Sequence, residues 1–187
     1  QVIRLSQVGS DGYTASPSGA ALDAMVAANR GALWLIGNEP DRVTDDAITQ
    51  DEIVPAGYAR AYRDLYRRIK AVDPTARIGA GNIVQPTEAR RRYLDMVLQA
   101  YRDQNGGAAM PVDVWATHVY ILSECDEGWG AKMPPGVSGV ECADYDPEDN
   151  ADVGEFEGML KAFRQWMADS GYRETPLYVT EYGVLMP

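Results

Sequence analysis

Residues that bind metal ions or nucleic acids are scarce in this sequence. Histidine occurs once in 187 residues, as His118, and no Cys-x-x-Cys motif is present, so no metal site is expected. Basic residues number 17 against 28 acidic ones, and the net charge of −11 opposes binding to nucleic acid or to an anionic membrane. No run approaches the ~20 apolar residues that span a bilayer. The composition therefore fits a protein that acts on neutral partners without a cofactor.

Cysteine is almost as scarce, and its two occurrences share one irregular segment. Cys125 and Cys142 lie in a stretch that is rich in glycine, proline and acidic residues. Such an isolated pair predicts a disulfide that closes a long loop, and therefore an oxidising, extracellular or cell-surface location. The alternative is a pair of free thiols in a cytosolic protein.

Hydrophobic residues make up 45% of the chain, which is enough for one domain with a substantial core. Apolar runs of the kind that are buried on both faces of a sheet predict five β-strands, at 2–8, 32–38, 76–82, 112–120 and 176–183. Between these strands the apolar residues recur every three or four positions, which predicts helices. The clearest helical stripe comprises Tyr58, Tyr62, Leu65, Ile69 and Val72.

The alternation of strand and helix predicts an α/β fold with a parallel sheet and right-handed crossovers. One connection, at about 121–152, is long for a compact domain, and loops of this length are usually functional. The chain opens on a strand and stops soon after the fifth one. We therefore expect residues 1–187 to form a single domain that is only a portion of a larger fold.

Two of the predicted strands end in glutamate. Glu39 follows the strand at 32–38, and Glu181 lies near the end of the strand at 176–183. Because binding and catalytic groups of parallel α/β folds collect at the carboxyl ends of the strands, both side chains are expected at the same rim. Two carboxylates across a cleft are the minimal apparatus of glycoside hydrolysis, with one as the acid and the other as the nucleophile or base.

Three short motifs carry a family resemblance. They are GNEP at 37–40, His118-Val119-Tyr120 two strands later, and TEYG at 180–183. In this order they resemble the clan A (β/α)8-barrel retaining glycoside hydrolases, which include cellulases, mannanases, xylanases and β-glycosidases. The resemblance covers the whole chain as barrel strands three to seven, and implies a partial five-strand parallel portion of a TIM barrel, with 121–152 as the loop after the sixth strand.

The resemblance also implies roles for individual residues. Glu39 would be the general acid/base, held protonated by its surroundings, and Glu181 the nucleophile that forms a glycosyl-enzyme intermediate. Asn38 would bind the sugar 2-hydroxyl. Tyr120, or else His118, would lie near the nucleophile, orient it and support its ionised form. Trp129 in the long loop is the candidate for stacking on a sugar of the carbohydrate substrate.

The resemblance leaves out the first, second and eighth strands of the barrel. Without them the sheet edges and apolar surface stay exposed, so we expect self-association or further chain segments to cover them. The alternative function is a non-catalytic barrel relative that serves as a carbohydrate-binding or structural subunit.

Four further features could indicate a function, but each is better explained as part of the structure. The segment 78–84 lacks the third glycine of a dinucleotide-binding loop. The acidic run with Asp144, Asp146 and Asp149 lacks the spacing of a calcium-binding EF-hand, so a solvated loop is expected. Trp115 is interpreted as a core residue, and the three arginines at 90–92 as the polar face of a helix.

Overall fold

The computed structural model describes residues 1–43, 50–125 and 129–185. In chain order the elements are β1 (Val2–Val8), β2 (Gly12–Ser16), α1 (Gly19–Ala28), β3 (Leu33–Ile36), α2 (Pro55–Val72), β4 (Arg77–Ile83), α3 (Glu88–Gln104), β5 (Val114–Val119), a 3₁₀ helix (Pro147–Ala151), α4 (Val153–Asp169) and β6 (Leu177–Tyr182). None of these helices is long and apolar enough to cross a membrane.

All six strands belong to one sheet, in the order β2-β1-β3-β4-β5-β6. Each pair from β1 to β6 along this order is parallel, and only β2 runs antiparallel to its neighbour β1. Helices connect the successive parallel strands, which is the arrangement of β/α units in a (β/α)8 barrel. The predicted fold class, a partial barrel of five parallel strands, is therefore observed.

The prediction of five strands missed β2. This strand pairs Arg4–Val8 of β1 with Gly12–Ser16 through a tight turn that contains Gly9, whose φ is +63°. Its sequence, GYTAS, has only one large apolar residue, and the strand lies at the edge of the sheet with no buried residue. The apolar pattern of a core strand is therefore absent, and β2 could not be recognised by that criterion.

The predicted helical stripes pack the helices onto the sheet. On α2 the buried face includes Tyr58, Tyr62, Leu65 and Ile69, and Pro55 occupies the first turn, where its missing N–H costs nothing. On α4 the Asp152 carboxylate accepts hydrogen bonds from the first-turn N–H groups of Gly154 and Glu155.

The core lies between the sheet and these helices. Trp115 on β5 is fully buried and makes edge contacts with Phe163 and Trp166 of α4, with ring centroids 6.3 and 5.0 Å apart. Its interpretation as a core residue is therefore confirmed. The β6 strand differs from β5, because it is exposed along nearly its whole length at the edge of the sheet.

The interpretation of residues 90–92 as the polar face of a helix is wrong for Arg90. Its side chain is fully buried and forms ion pairs with Asp41 and Glu124, both also buried. Nη2 of Arg90 donates to the carbonyl oxygens of Ala131 and Lys132. This network joins α3 to the segments that follow β3 and β5, which carry the candidate site.

Candidate active site

Three side chains from three neighbouring parts of the sheet meet at the carboxyl ends of the strands. Glu39 follows β3, His118 lies on β5 and Glu181 lies on β6. His118 and Glu181 are register partners on adjacent parallel strands, just after an irregularity in the pairing. The sheet therefore places residues that are far apart in sequence at a single rim, where the active sites of barrel enzymes form.

A distorted backbone holds Glu39 at this rim. Its φ is +48°, which is uncommon for a residue other than glycine, and its N–H donates to the carbonyl oxygen of Asn82 over 2.9 Å. Asn82 is also left-handed, with φ +54°, and its Nδ2 donates to the carbonyl oxygen of Gly37. Strained conformations of this kind persist where the surrounding structure fixes them, and they concentrate at functional sites.

His118 lies between the two glutamates. Its Nδ1 is 2.9 Å from Oε1 of Glu39, at hydrogen-bond distance. Its Nε2 is 3.4 Å from Oε1 of Glu181, but without the angular geometry of a hydrogen bond. The His118 and Glu39 side chains are buried, whereas the Glu181 side chain is 47% exposed.

The two carboxylates are close to each other. One carboxylate oxygen of Glu39, one of Glu181 and a ring nitrogen of His118 all lie within 4.8 Å of one another. Among the residues of 1–43, 50–125 and 129–185, this is the group of carboxylate, imidazole and thiol ligands that could hold a metal ion. The arrangement can bring an acid and a nucleophile to opposite sides of one small reacting group.

Tyr120 contacts Glu181 directly. Its hydroxyl donates to Oε2 of Glu181 over 3.1 Å. Burial, followed by the negative charge of Glu181, raises the pKa of Tyr120 to about 12. The phenol therefore remains a hydrogen-bond donor to this carboxylate at neutral pH.

The charges and hydrogen bonds around Glu39 favour its ionised form, whereas the sequence resemblance implied the protonated form. Burial is the largest single influence and raises the pKa of Glu39. The hydrogen bond and charge of His118 and those of Arg42 lower it, and together they outweigh burial. Nη1 of Arg42 lies 3.3 Å from Oε2 of Glu39. The pKa of Glu39 is therefore below its ordinary value, and the expectation that its surroundings hold it protonated is not met in the free protein.

Asn38 lies beside the site with its polar groups engaged. Its backbone N–H donates to Oδ2 of Asp51 over 2.7 Å, and its Nδ2 donates to Oε1 of Gln50 over 2.8 Å. The sequence patterns did not point to Asp51, Gln50 or Arg42. Only the position of Arg42, three residues after Glu39, could have suggested that its charge acts on that carboxylate.

The loop after β5 carries the remaining predicted residues. Cys125 and Cys142 form a disulfide with a Cα–Cα distance of 5.2 Å, which confirms the predicted pairing. Trp129 is half-buried and packs, as does Tyr120, against a small apolar cluster of Val84, Leu122 and Ala131. Residues 126–128 of the predicted loop lie outside the described residues.

The acidic part of this loop is organised by its own hydrogen bonds. The backbone N–H of Asp146 donates to Oδ2 of Asp149, and the two side chains form a capping box at the start of the 3₁₀ helix. Asp144 accepts a hydrogen bond from Ser123. In the described part of the chain these three aspartates are not among the groups that could hold a metal ion.

Comparisons with known proteins show a likeness of structure. No family model and no curated protein matches the sequence. A GH128 (subgroup II) endo-β-1,3-glucanase from Pseudomonas viridiflava aligns over 88% of this chain and 49% of its own, with a TM-score of 0.56 and 18% identity. A monomeric β-xylosidase from Caulobacter crescentus aligns over 89% of this chain and 31% of its own, with a TM-score of 0.55 and 22% identity.

These likenesses confirm the predicted fold class. The chain has a partial (β/α)8-type fold that is similar to parts of these two glycoside hydrolases, as the resemblance of its motifs implied. It spans about half the length of the glucanase and about a third of the xylosidase.

Proposed function

We propose that the chain carries the catalytic centre of a retaining glycoside hydrolase that cleaves O-glycosidic bonds of a poly- or oligosaccharide. The observation that carries this proposal is the pairing of Glu39 and Glu181 at the strand ends, with oxygens within 4.8 Å of each other. A retaining mechanism requires carboxyl groups ~5–5.5 Å apart, whereas an inverting one requires ~6.5–9.5 Å to admit a water. The short spacing therefore supports double displacement.

The first step forms a covalent intermediate. A carboxylate oxygen of Glu181 attacks the anomeric carbon of the sugar while Glu39 gives its proton to the glycosidic oxygen, and the C–O bond to the leaving alcohol breaks. In the second step Glu39 takes a proton from water. The water oxygen attacks the anomeric carbon, the ester bond to Glu181 breaks, and the sugar leaves with its original configuration.

The lowered pKa of Glu39 suits the second step, in which this residue acts as a base. The first step requires the protonated form. Because burial acts to raise the pKa of Glu39, a sugar that excludes the remaining water would bring this pKa up from its lowered value. Substrate binding would thus prepare the acid, and the ionised form would return when the leaving group departs.

The neighbouring residues have supporting roles in this proposal. The hydroxyl of Tyr120 stabilises the ionised nucleophile and fixes its orientation through the 3.1 Å hydrogen bond to Glu181. His118 positions both carboxylates. The carboxamide of Asn38 binds the sugar 2-hydroxyl in exchange for its hydrogen bond to Gln50, and Trp129 stacks on a sugar ring beside Tyr120.

The disulfide and the exposed edge of the sheet bear on the setting of this activity. A disulfide between Cys125 and Cys142 is compatible with an extracellular or cell-surface protein, and we place the activity there. The β6 strand is exposed, and the two related solved chains are longer than this one. We therefore propose that 1–187 is one portion of a hydrolase barrel, in which further β/α units cover β6.

Hydrolysis of aryl β-glucosides and β-xylosides by the whole protein tests the proposal. Glu181→Gln should lower kcat by at least roughly 10³-fold, and the surface variant Glu157→Gln on α4 should retain wild-type turnover. Azide added to Glu181→Ala should restore turnover by taking the place of the missing nucleophile. Wild-type turnover by Glu181→Gln would refute the assignment, and failure of the wild type on a panel of glycans would favour the carbohydrate-binding or structural alternative.

A further inference from the structure

One nitrogen of His118 has no hydrogen-bond partner in the described structure. Nε2 is buried. It lies 3.4 Å from the carboxylate oxygen Oε1 of Glu181, but the two atoms do not have the geometry of a hydrogen bond. A buried polar atom of this kind is costly unless something pairs with it. Nε2 lies beside the half-exposed carboxylate of Glu181, and the site is open to solvent on that side.

The other ring nitrogen determines what Nε2 can bind. Nδ1 contacts Oε1 of Glu39 at 2.9 Å, and the second oxygen of Glu39 contacts Arg42, so this carboxylate acts as an acceptor on both sides. Nδ1 is therefore the nitrogen that keeps its proton. The lone pair of Nε2 becomes free when the imidazolium loses its second proton, so a metal ion bound at Nε2 takes the place of that proton. Nε2 lies 3.4 Å from a carboxylate oxygen, which also carries lone pairs. Two such groups approach each other favourably when a cation, either a proton or a metal ion, lies between them.

The distance between the two atoms matches a tetrahedral metal site. Zinc lies ~2.0–2.1 Å from a histidine nitrogen and ~2.0–2.2 Å from a carboxylate oxygen, so two ligands of a tetrahedral ion are separated by about 3.4 Å. The observed Nε2–Oε1 distance is 3.4 Å. A carboxylate that holds the second nitrogen of a histidine ligand, as Glu39 does, is the usual outer partner of such sites.

We propose that one zinc-like divalent ion binds between Nε2 of His118 and the carboxylate of Glu181, with water completing its coordination. The ion is an inhibitor and not a cofactor, because it occupies the oxygens with which Glu181 would attack a sugar. The scarcity of histidine and cysteine argued against a metal site, but this site needs only one histidine, and the sequence contains one. The Glu181 side chain is 47% exposed in the described structure, so the site is open to solvent on that side.

The rest of the chain offers little competition for such an ion. His118 is the only histidine, and both cysteines are joined in a disulfide. Within residues 1–187, imidazole or thiolate binding elsewhere is therefore excluded once any affinity tag has been removed. Exposed carboxylates could still bind zinc weakly, and a variant that removes one of them controls for this binding.

The experiment is a calorimetric titration of tag-free, metal-stripped whole protein with zinc chloride. The wild type should bind zinc at a site whose affinity both His118→Asn and Glu181→Gln lower at least ~10-fold. Glu157→Gln, which removes an exposed carboxylate of α4, should bind as the wild type does. Cobalt(II) bound to the wild type should show the intense visible absorption of a tetrahedral ion, and lose it in both variants.

Two results would overturn the inference. One is the absence of binding to the wild type at millimolar zinc, and the other is wild-type affinity in Glu181→Gln. If His118→Asn does not fold, as circular dichroism would reveal, Glu181→Gln decides the matter because that side chain is half-exposed. The titration needs no catalytic activity, so zinc binding without glycan cleavage would refute the proposed function alone, and cleavage without zinc binding would refute this inference alone.

Discussion

Arg90 donates a hydrogen bond from Nε to Oε1 of Glu124 over 2.7 Å, and neither side chain has any exposed surface. The same guanidinium pairs with Asp41, two residues after Glu39. Burial of Arg90 is the largest influence on its pKa and lowers it, yet the charges of Asp41 and Glu124 raise it above its ordinary value. One cation therefore neutralises two buried acids and links the segment that follows Glu39 to the loop that contains the disulfide.

Replacing Arg90 with methionine should destabilise the protein strongly. Removal of one partner from a buried ion pair costs about 3–5 kcal/mol, because the remaining charge is left without compensation. Here two carboxylates lose their partner, so the free energy of unfolding in urea should fall by at least that amount. Arg92→Met on the exposed side of the same helix is the matched control and should change it by less than ~0.5 kcal/mol. Equal stability of the two variants would show that the network contributes nothing.

A second prediction concerns Gly81 at the irregularity of β4. Its φ is +91°, and a Cβ there would lie 2.5 Å from the carbonyl oxygen of Ala116. Gly107 has a similar φ of +86°, but a Cβ at that position would meet no atom of the described residues within 4 Å. Replacing Gly107 with alanine should therefore cost only the backbone strain, about 1–3 kcal/mol of unfolding free energy. Replacing Gly81 with alanine should cost the same strain and a further ~1–3 kcal/mol, because the new Cβ forces two strands apart.

Urea unfolding of the two alanine variants measures this difference. Because the two glycines share a left-handed backbone conformation, the comparison isolates the steric contact with Ala116. Equal losses of stability would mean that β4 and β5 can separate freely at this point.

The parallel strands and helices could be predicted because local patterns specify them. Strands buried on both faces are continuous apolar runs, and helices that pack on one side show a period of three to four residues. The β2 strand has neither feature, since an exposed edge strand buries no face. Local pattern therefore identifies elements through their burial and misses those that are stabilised by pairing alone.

Some residues of the candidate site could be selected from the sequence, but their contacts could not. Glu39 and Glu181 could be selected because strand ends of a parallel sheet share one rim. The contact of His118 with Glu39 joins residues 79 positions apart. The pairing of His118 with Glu181 follows an irregularity between β5 and β6 that no sequence pattern marks. The burial of Arg90 likewise depends on acids 49 and 34 positions away. Sequence spacing carries no information on such distant partners.

A third prediction concerns Glu39 and acid pH. Burial raises the pKa of Glu39, but His118 and Arg42 bring it below the ordinary value of 4.5. A carboxyl whose folded pKa is depressed adds stability that is present above the unfolded pKa and is lost as pH falls through the folded pKa. Wild type should therefore lose this contribution as pH falls below 4.5, and Glu39→Gln should not.

Unfolding free energies of the two proteins at about pH 6 and about pH 3 measure this contribution. The pH dependence common to both proteins cancels in the difference between them, so that difference reports on Glu39. It should shift in favour of Glu39→Gln at the lower pH. A difference that stays constant, or shifts toward the wild type, would show that the pKa of Glu39 is not depressed in the folded protein.

The fourth prediction concerns the hydroxyl of Tyr120. It donates to Oε2 of Glu181 over 3.1 Å and, with its pKa raised to about 12, remains protonated at neutral pH. Hydrogen bonds to charged groups contribute about 1.5–3 kcal/mol, so Tyr120→Phe should lower kcat for an aryl glycoside roughly 10- to 100-fold. Tyr178→Phe removes a hydroxyl that contacts Arg77 away from the carboxylates, and it should leave kcat unchanged. Because Tyr120 acts on the nucleophile and not on the leaving group, the loss should persist with the most reactive leaving groups. Recovery of wild-type kcat with those substrates would instead assign Tyr120 to the proton transfer at the glycosidic oxygen.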